Sequence, residues 1–196
     1  MNQGQIIPTS GQSYFHVKGI CKFPKDHFYE NSINIYLQNT DMTTLQKLQF
    51  TVSIHAPLHK VYDRMLGNSD KSTYEQWTAL FNPTSTYEGN WEKGSKILFI
   101  GVDENGETGG MVSRIIENVP HRFVSIQHYG LVKAGKEITE GPEVEKWANG
   151  LENYSYAEDN GITTVTVDLD TTEEFAEYMT QAYPAALGKL KEICEK

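Results

Sequence analysis

The sequence predicts an α+β fold in which a curved antiparallel sheet is covered by one long C-terminal helix. Two observations carry this. Gly161-Ile-Thr-Thr-Val-Thr-Val-Asp-Leu-Asp170 alternates apolar and polar residues, the mark of a strand with one wet face. After it, Phe175, Tyr178, Met179, Ala182, Ala186, Leu190 and Cys194 recur at spacings of three and four, which sets them on one helical stripe. A stripe of that length needs an apolar surface to cover. The run of strand-like stretches before it supplies one.

Taken in order, the elements begin with a strand at Leu48-Gln-Phe-Thr-Val-Ser-Ile54 that runs into His55-Ala-Pro57. Pro57 suits the first turn of a helix, because its missing N–H is not needed there. That helix carries Leu58, Val61, Tyr62 and Met65, and Gly67 is placed to end it. A second short helix is expected over 70–79, ending near Trp77. Six strands follow at 84–87, 96–102, 109–118, 122–131, 151–157 and 163–169. Asn105-Gly106 and Asn160-Gly161 lie between pairs of them, where hairpin turns favour this dipeptide. Pro142 to Asn149, closed by Gly150, has the proline-first, glycine-last form of a short helix. Thr171-Thr-Glu-Glu174 fits the box in which a hydroxyl and a glutamate cap a helix start reciprocally. Pro184, inside the last helix, removes a bond to the carbonyl of Thr180 and predicts a kink there.

Residues 1–41 differ in character. They hold no Arg and show no sustained period beyond a short candidate strand at Ile33-Asn-Ile-Tyr-Leu37. The expectation is a single domain over 42–196, with 1–41 a weakly structured extension upstream of a physiological start at Met42. An extra strand or arm docked on the domain is the alternative. The net charge of −9 lies wholly in 42–196, since Lys18, Lys22 and Lys25 balance Asp26, Glu30 and Asp41. Such a surface repels phosphate backbones and anionic lipid heads, which argues against nucleic-acid and membrane-surface partners. Two cysteines, Cys21 and Cys194, make no disulfide framework and no Cys-x-x-Cys. A reducing cytoplasm is therefore expected, and no signal peptide or membrane-spanning run is visible.

Several motifs fix the family likeness. They are Ala56-Pro57, Tyr87-Glu-Gly-Asn-Trp-Glu-Lys-Gly-Ser95, Gly110-Met-Val-Ser113, Ser125-Ile-Gln-His-Tyr-Gly130, Trp147, Glu152-Asn-Tyr154 and the proline-bearing last helix. Together with the element order they resemble the SRPBCC superfamily, the START-related helix-grip fold shared with plant pollen allergens. The closest resemblance is to the bacterial branch grouped with the C-terminal domain of activators of a heat-shock chaperone ATPase. The likeness covers about 45–196. It implies a cavity between sheet and last helix that receives a small apolar or amphipathic molecule; as fold does not fix function, it implies no particular reaction.

Strand alternation assigns particular residues to the cavity. Ile126 and His128 share a face with Val124, Glu152 shares one with Tyr154, and Phe99, Met111 and Ser113 point the same way. Trp77 and Trp147 are expected at its rim or lining, and Tyr178 joins them from the last helix. An aromatic pocket with a small polar cluster is the usual anatomy of a small-molecule site. Within it His128 and Glu152 are the candidates for a proton-transfer pair, the glutamate orienting the imidazole. The plainer reading of the two is an inner-face hydrogen bond or one residue turned to solvent; Tyr154, a candidate acid or oxyanion donor, reads more plainly as a packing residue with its hydroxyl at the surface.

Other motifs carry less. His55 and His59 straddle Pro57 at a strand–helix junction and form no His-Glu-x-x-His, so no metal is expected. Gly89-Asn-Trp-Glu-Lys-Gly-Ser-Lys96 imitates a phosphate loop but lacks the following helix, and reads as a hairpin turn with Trp91 packed beside it. No Gly-x-Ser-x-Gly elbow occurs. Cys194 reads as a core residue, and Glu137, Glu140, Glu143 and Glu145 as a solvated acidic loop. The leading expectation is a binder without a cofactor. An enzyme built on His128 and Glu152, a chaperone-cofactor-like module contacting protein through the acidic surface, and pairing with a second copy of the chain complete the expectations.

Overall fold

A computed structural model of the chain describes residues 45–196. The extension over 1–41, the candidate strand at 33–37, Cys21 and the suggested start at Met42 lie outside those residues. Twelve elements follow one another: β1 (Gln46–Ile54), α1 (Leu58–Leu66), α2 (Lys71–Thr78), β2 (Thr86–Gly89), β3 (Lys96–Val102), β4 (Thr108–Val119), β5 (Phe123–Lys133), β6 (Lys136–Ile138), α3 (Pro142–Glu145), β7 (Gly150–Asp159), β8 (Ile162–Thr171) and α4 (Glu173–Cys194). The eight strands form one antiparallel sheet in the order β1-β8-β7-β5-β4-β3-β2, with β6 beside the far end of β5. The fold is α+β with a C-terminal helix against a curved antiparallel sheet, which is consistent with the helix-grip arrangement.

Register explains which side chains turn inward. In β1 the even residues Leu48, Phe50, Val52 and Ile54 face Leu169, Val167, Val165 and Thr163 of β8, and all lie on the helix side. On β7, Glu152, Tyr154 and Tyr156 oppose the same residues of β8 from the other flank. Two irregularities break the alternation further on. Ser113 faces His128 while Val112 faces Gly130, so Tyr129 is an extra residue on β5; Ile115 faces Ile126 while Glu117 faces Ser125, so Ile116 is an extra residue on β4. Each bulge bends its strand and deepens the curvature that wraps the sheet around the helices.

Helix ends follow local chemistry. Pro57 caps α1 in an extended conformation, and Gly67 ends it at φ 68°, the left-handed region where a side chain is unfavourable. The Asp70 side chain accepts from the Ser72 N–H at the start of α2. The reciprocal cap expected at Thr171–Glu174 does not form: Thr171 is the last residue of β8, paired with Gln46, and Thr172 stands at the N-cap without a side-chain bond. Strand pairing thus claims the residue that the sequence pattern offered to the helix. Helix α4 runs unbroken through Pro184.

The core lies between the sheet and the three helices α1, α2 and α4. Ile54, Val61, Met65, Leu66, Ile97, Ile115, Ile126, Val167, Leu187 and Leu190 are buried there. Trp77 belongs to the same core at 1% exposure, and its indole N–H donates to the Met65 carbonyl at 2.9 Å. Trp91 does the same for Leu66 at 2.9 Å. The two indoles therefore close carbonyls near the C-terminal end of α1, which lack intrahelical donors. Replacing Trp77 by Ala removes a buried ring and leaves Met65 O unpaired. A loss of about 3–5 kcal/mol is expected, read as a lower urea midpoint with unchanged slope.

Candidate functional site

The side chains that gather at the joint between sheet and α4 come from four elements. His128 sits on β5 directly across from Ser113 of β4, and their pairing brings the Ser113 hydroxyl to 2.8 Å from His128 Nδ1. Across the other edge of β5, His128 faces Gly150 of β7, and Glu152 lies diagonally two residues on. Diagonal neighbours are within reach of long side chains. Gly150 has no side chain to fill the space between, and His128 Nε2 meets Glu152 Oε2 at 3.1 Å. The other carboxylate oxygen, Oε1, accepts from the hydroxyls of Tyr154 on β7 and Tyr183 on α4. Strands β5 and β7 and the last helix thus converge on one carboxylate, with Ser113 of β4 behind the imidazole.

The electrostatics follow from that convergence. Burial alone favours the neutral acid, but the hydrogen bond and charge of His128, then the two tyrosine hydroxyls, outweigh it and hold Glu152 below its ordinary value. An ionised carboxylate only accepts, so Nε2 of His128 carries the proton it shares with Glu152. In the neutral ring Nδ1 then accepts from Ser113. Burial, with the nearby Glu152 charge behind it, pushes Tyr154, Tyr183 and Tyr74 well above the usual phenol range. These tyrosines remain hydroxyl donors at any physiological pH. The cluster is not sealed: the side chains of His128 and Glu152 are 10% and 14% exposed.

Aromatic rings surround it. Phe50 stacks on Tyr183 with ring centres 4.7 Å apart, Phe81 meets Tyr183 edge-on at 5.0 Å, and Phe99 stands edge-on to His128 at 6.2 Å. Phe50, Phe81, Phe99 and Met179 are partly exposed residues packed against the core. Two shallow depressions lie elsewhere. One of about 520 Å³ is lined by Tyr87, Trp91, Lys93 and Asn118, and one of about 470 Å³ by His59, Lys60, Arg64 and His121.

Of the residues assigned to the site from sequence, His128, Glu152, Ser113 and Tyr154 come together, with Phe99 against the imidazole. Met111 lies across from Phe99, partly buried, and Ile126 is fully buried beside Glu152 in the register. Trp77 sits inside the core instead of at a rim. Trp147 is tied to α3, its indole N–H on the Glu143 carbonyl at 2.8 Å. Tyr178 is 41% exposed and donates to the Phe81 carbonyl at 2.8 Å, bracing α4 against the end of α2. The helical tyrosine that faces the cluster is Tyr183, which the sequence reading passed over. Its signal was present: Met179, Tyr183, Leu187 and Leu190 recur at four, four and three. Phe50 and Phe81 were also missed.

The remaining candidates fall outside the cluster. Among the described residues no group of three His, Cys, Asp or Glu is arranged to hold a metal. Cys194 is buried, and burial pushes its thiol up to about 11. No helix among the described residues is long and apolar enough to cross a membrane.

No family model and no curated sequence matches the chain. Solved structures do. The Aha1 dimer from Colwellia psychrerythraea is 20% identical with a TM-score of 0.54, over 76% of this chain and 96% of that one. Protein MLL2253 from Mesorhizobium loti is 9% identical with a TM-score of 0.56, over 76% and 96%. DynU16, a putative protein in the dynemicin biosynthetic locus, is 13% identical with a TM-score of 0.53, and the match takes 47% of its length. The likeness establishes the fold.

Because the folded carboxyl sits below its unfolded value, Glu152 stabilises the protein above the unfolded carboxylate pKa of about 4.3, and that contribution fades as pH falls through the lower folded value. Tyr183→Phe removes one donor to the buried charge and is expected to cost about 1.5–3 kcal/mol near neutral pH. Urea unfolding of the variant and the parent from pH 7 to pH 3 checks both. The gap narrows with acid.

Proposed function

We propose that the chain binds a small amphipathic molecule at the joint between sheet and α4, with the Glu152 cluster as its polar anchor and the surrounding rings as its apolar wall. The observation that carries this reading is a partly accessible, ionised carboxylate in an aromatic setting. Interior charge is costly unless paired, so a fold that needed only a stable core has no use for it. The donors come preassembled from four elements, which is how a site is kept ready for an incoming head group. The helix-grip resemblance supports the same reading, since it implies a cavity between the sheet and the last helix, the elements that meet at this cluster.

The 3.1 Å contact between His128 and Glu152 favours a second reading, proton transfer to a held molecule. It stands behind binding for a geometric reason. Both imidazole nitrogens already have partners, Ser113 and Glu152, so catalysis requires one of them to be released. A neighbour solved as a dimer supports self-association as an accompanying property, with the acidic surface as a further protein contact.

Native mass spectrometry of the full chain purified from cells, followed by organic extraction, tests the reading. A reproducible small molecule at one per chain is expected. A neutral fluorescent apolar probe, Nile red, is expected to bind at one site. Phe99→Ala weakens that binding by about tenfold, the loss expected when half of a phenyl ring's burial is removed. Empty protein together with probe binding indifferent to Phe99→Ala overturns it.

A further inference from the structure

The Glu152 cluster, read as a ligand anchor, also specifies the charge of what it holds. We infer that the ligand is an organic cation, a small amine or ammonium whose positive charge seats against the Glu152 carboxylate among the surrounding rings. This inference rests on the binding function proposed above.

Three observations converge on it. Among the described residues the basic group that contacts Glu152 is His128; no lysine or arginine forms an ion pair with it. The other contacts, from Tyr154 and Tyr183, are neutral hydroxyls that burial keeps neutral. Glu152 therefore has no permanently cationic partner among the described residues, and a cationic ligand supplies one.

The rings are the second observation. Tyr183 is flanked by Phe50 at 4.7 Å and Phe81 at 5.0 Å, and Phe99 stands 6.2 Å from the His128 ring. Aromatic faces attract cations through their quadrupoles, and the attraction grows as water is removed. A carboxylate among rings recognises an ammonium by both effects. A metal ion has less to hold here, because no group of three ligating side chains is assembled among the described residues.

The third is the field of the whole chain. A net charge of −9 favours the approach of cations and opposes that of anions. Carboxylate-bearing ligands would face that field and then Glu152 itself.

A matched series of probes isolates the charge: 2-phenylethylammonium, 2-phenylethanol and 3-phenylpropanoate, each titrated calorimetrically into the full chain. The ammonium is expected to bind at one site, about tenfold or more tighter than the alcohol, with the carboxylate weakest. Glu152→Gln abolishes the difference between ammonium and alcohol. Phe81→Leu, at a partly exposed ring, reduces affinity for the ammonium more than for the alcohol, and it serves as the readout if the Glu152 variant does not fold. Equal binding of ammonium and alcohol overturns the inference, as does an ammonium preference that survives both substitutions, since it then belongs to the acidic surface. If the alcohol binds, is lost in Phe99→Ala and shows no charge preference, the binding function stands and the cation does not. If none of the three binds at millimolar concentration, the cation falls, and the binding function is decided by the extraction and by the probe with Phe99→Ala.

Discussion

One ionised carboxylate, set where the sheet meets its last helix, is the constraint on which the rest of the structure is arranged. Glu152 receives hydrogen bonds from β5, β7 and α4 at once, and Ser113 of β4 holds the imidazole that reaches it. A charge removed from water needs each of these donors, because leaving it unpaired costs more than any single bond returns. Tyr183 therefore does more than pack. It fixes the rotation of α4 about its axis, since only one helical face can carry a hydroxyl to Glu152. The same rotation sends Leu187, Leu190 and Ile193 into the core.

The ring system extends that fixation to the other helices. Trp77 of α2 touches Phe81, Phe81 touches Tyr183, and Tyr183 touches Phe50 of β1. Indole N–H groups from Trp77 and Trp91 meanwhile close the carbonyls of Met65 and Leu66 on α1. Edge-on and stacked contacts of this kind each add modestly to burial. In series they couple helix positions to the polar cluster.

Much of this was legible in the sequence where a period was long and undisturbed. Element order and the Pro57 start and Gly67 stop of α1 follow from alternation and turn chemistry; alternation set His128 and Glu152 on inward faces, but their meeting depends on the pairing of β5 with β7. The failures share a cause. Tyr178 and Tyr183 differ by five positions, both compatible with an amphipathic stripe, and only the sheet decides which of them faces it. Trp77, expected at the rim or lining of the cavity, is buried in the core, where its N–H meets a carbonyl at the end of α1. Thr171 carried a good capping pattern, and long-range pairing with Gln46 overrode it. The three-residue β6 has too few residues to show a period at all. The polar cluster itself was never written in local pattern, since it is made of atoms brought together from residues 113, 128, 152, 154 and 183.

The two bulges have a consequence for how this chain tolerates change. Before Tyr129 the inward residues of β5 are even-numbered, as at Val124, Ile126 and His128; beyond it Leu131 pairs with Met111, which itself faces Phe99, and the inward set is odd. Strand β4 makes the same switch at Ile116, with Ile115 inward on one side and Asn118, bonded to Tyr62, on the other. Each strand is thus written in two reading frames joined by a single residue. Deleting Tyr129 or Ile116 merges the two frames without turning a side chain over, because the residues on either side keep their partners and only the bend is lost; deleting a paired neighbour instead is a frameshift in three dimensions, which drives the side chains on one side of it to the opposite face of the sheet.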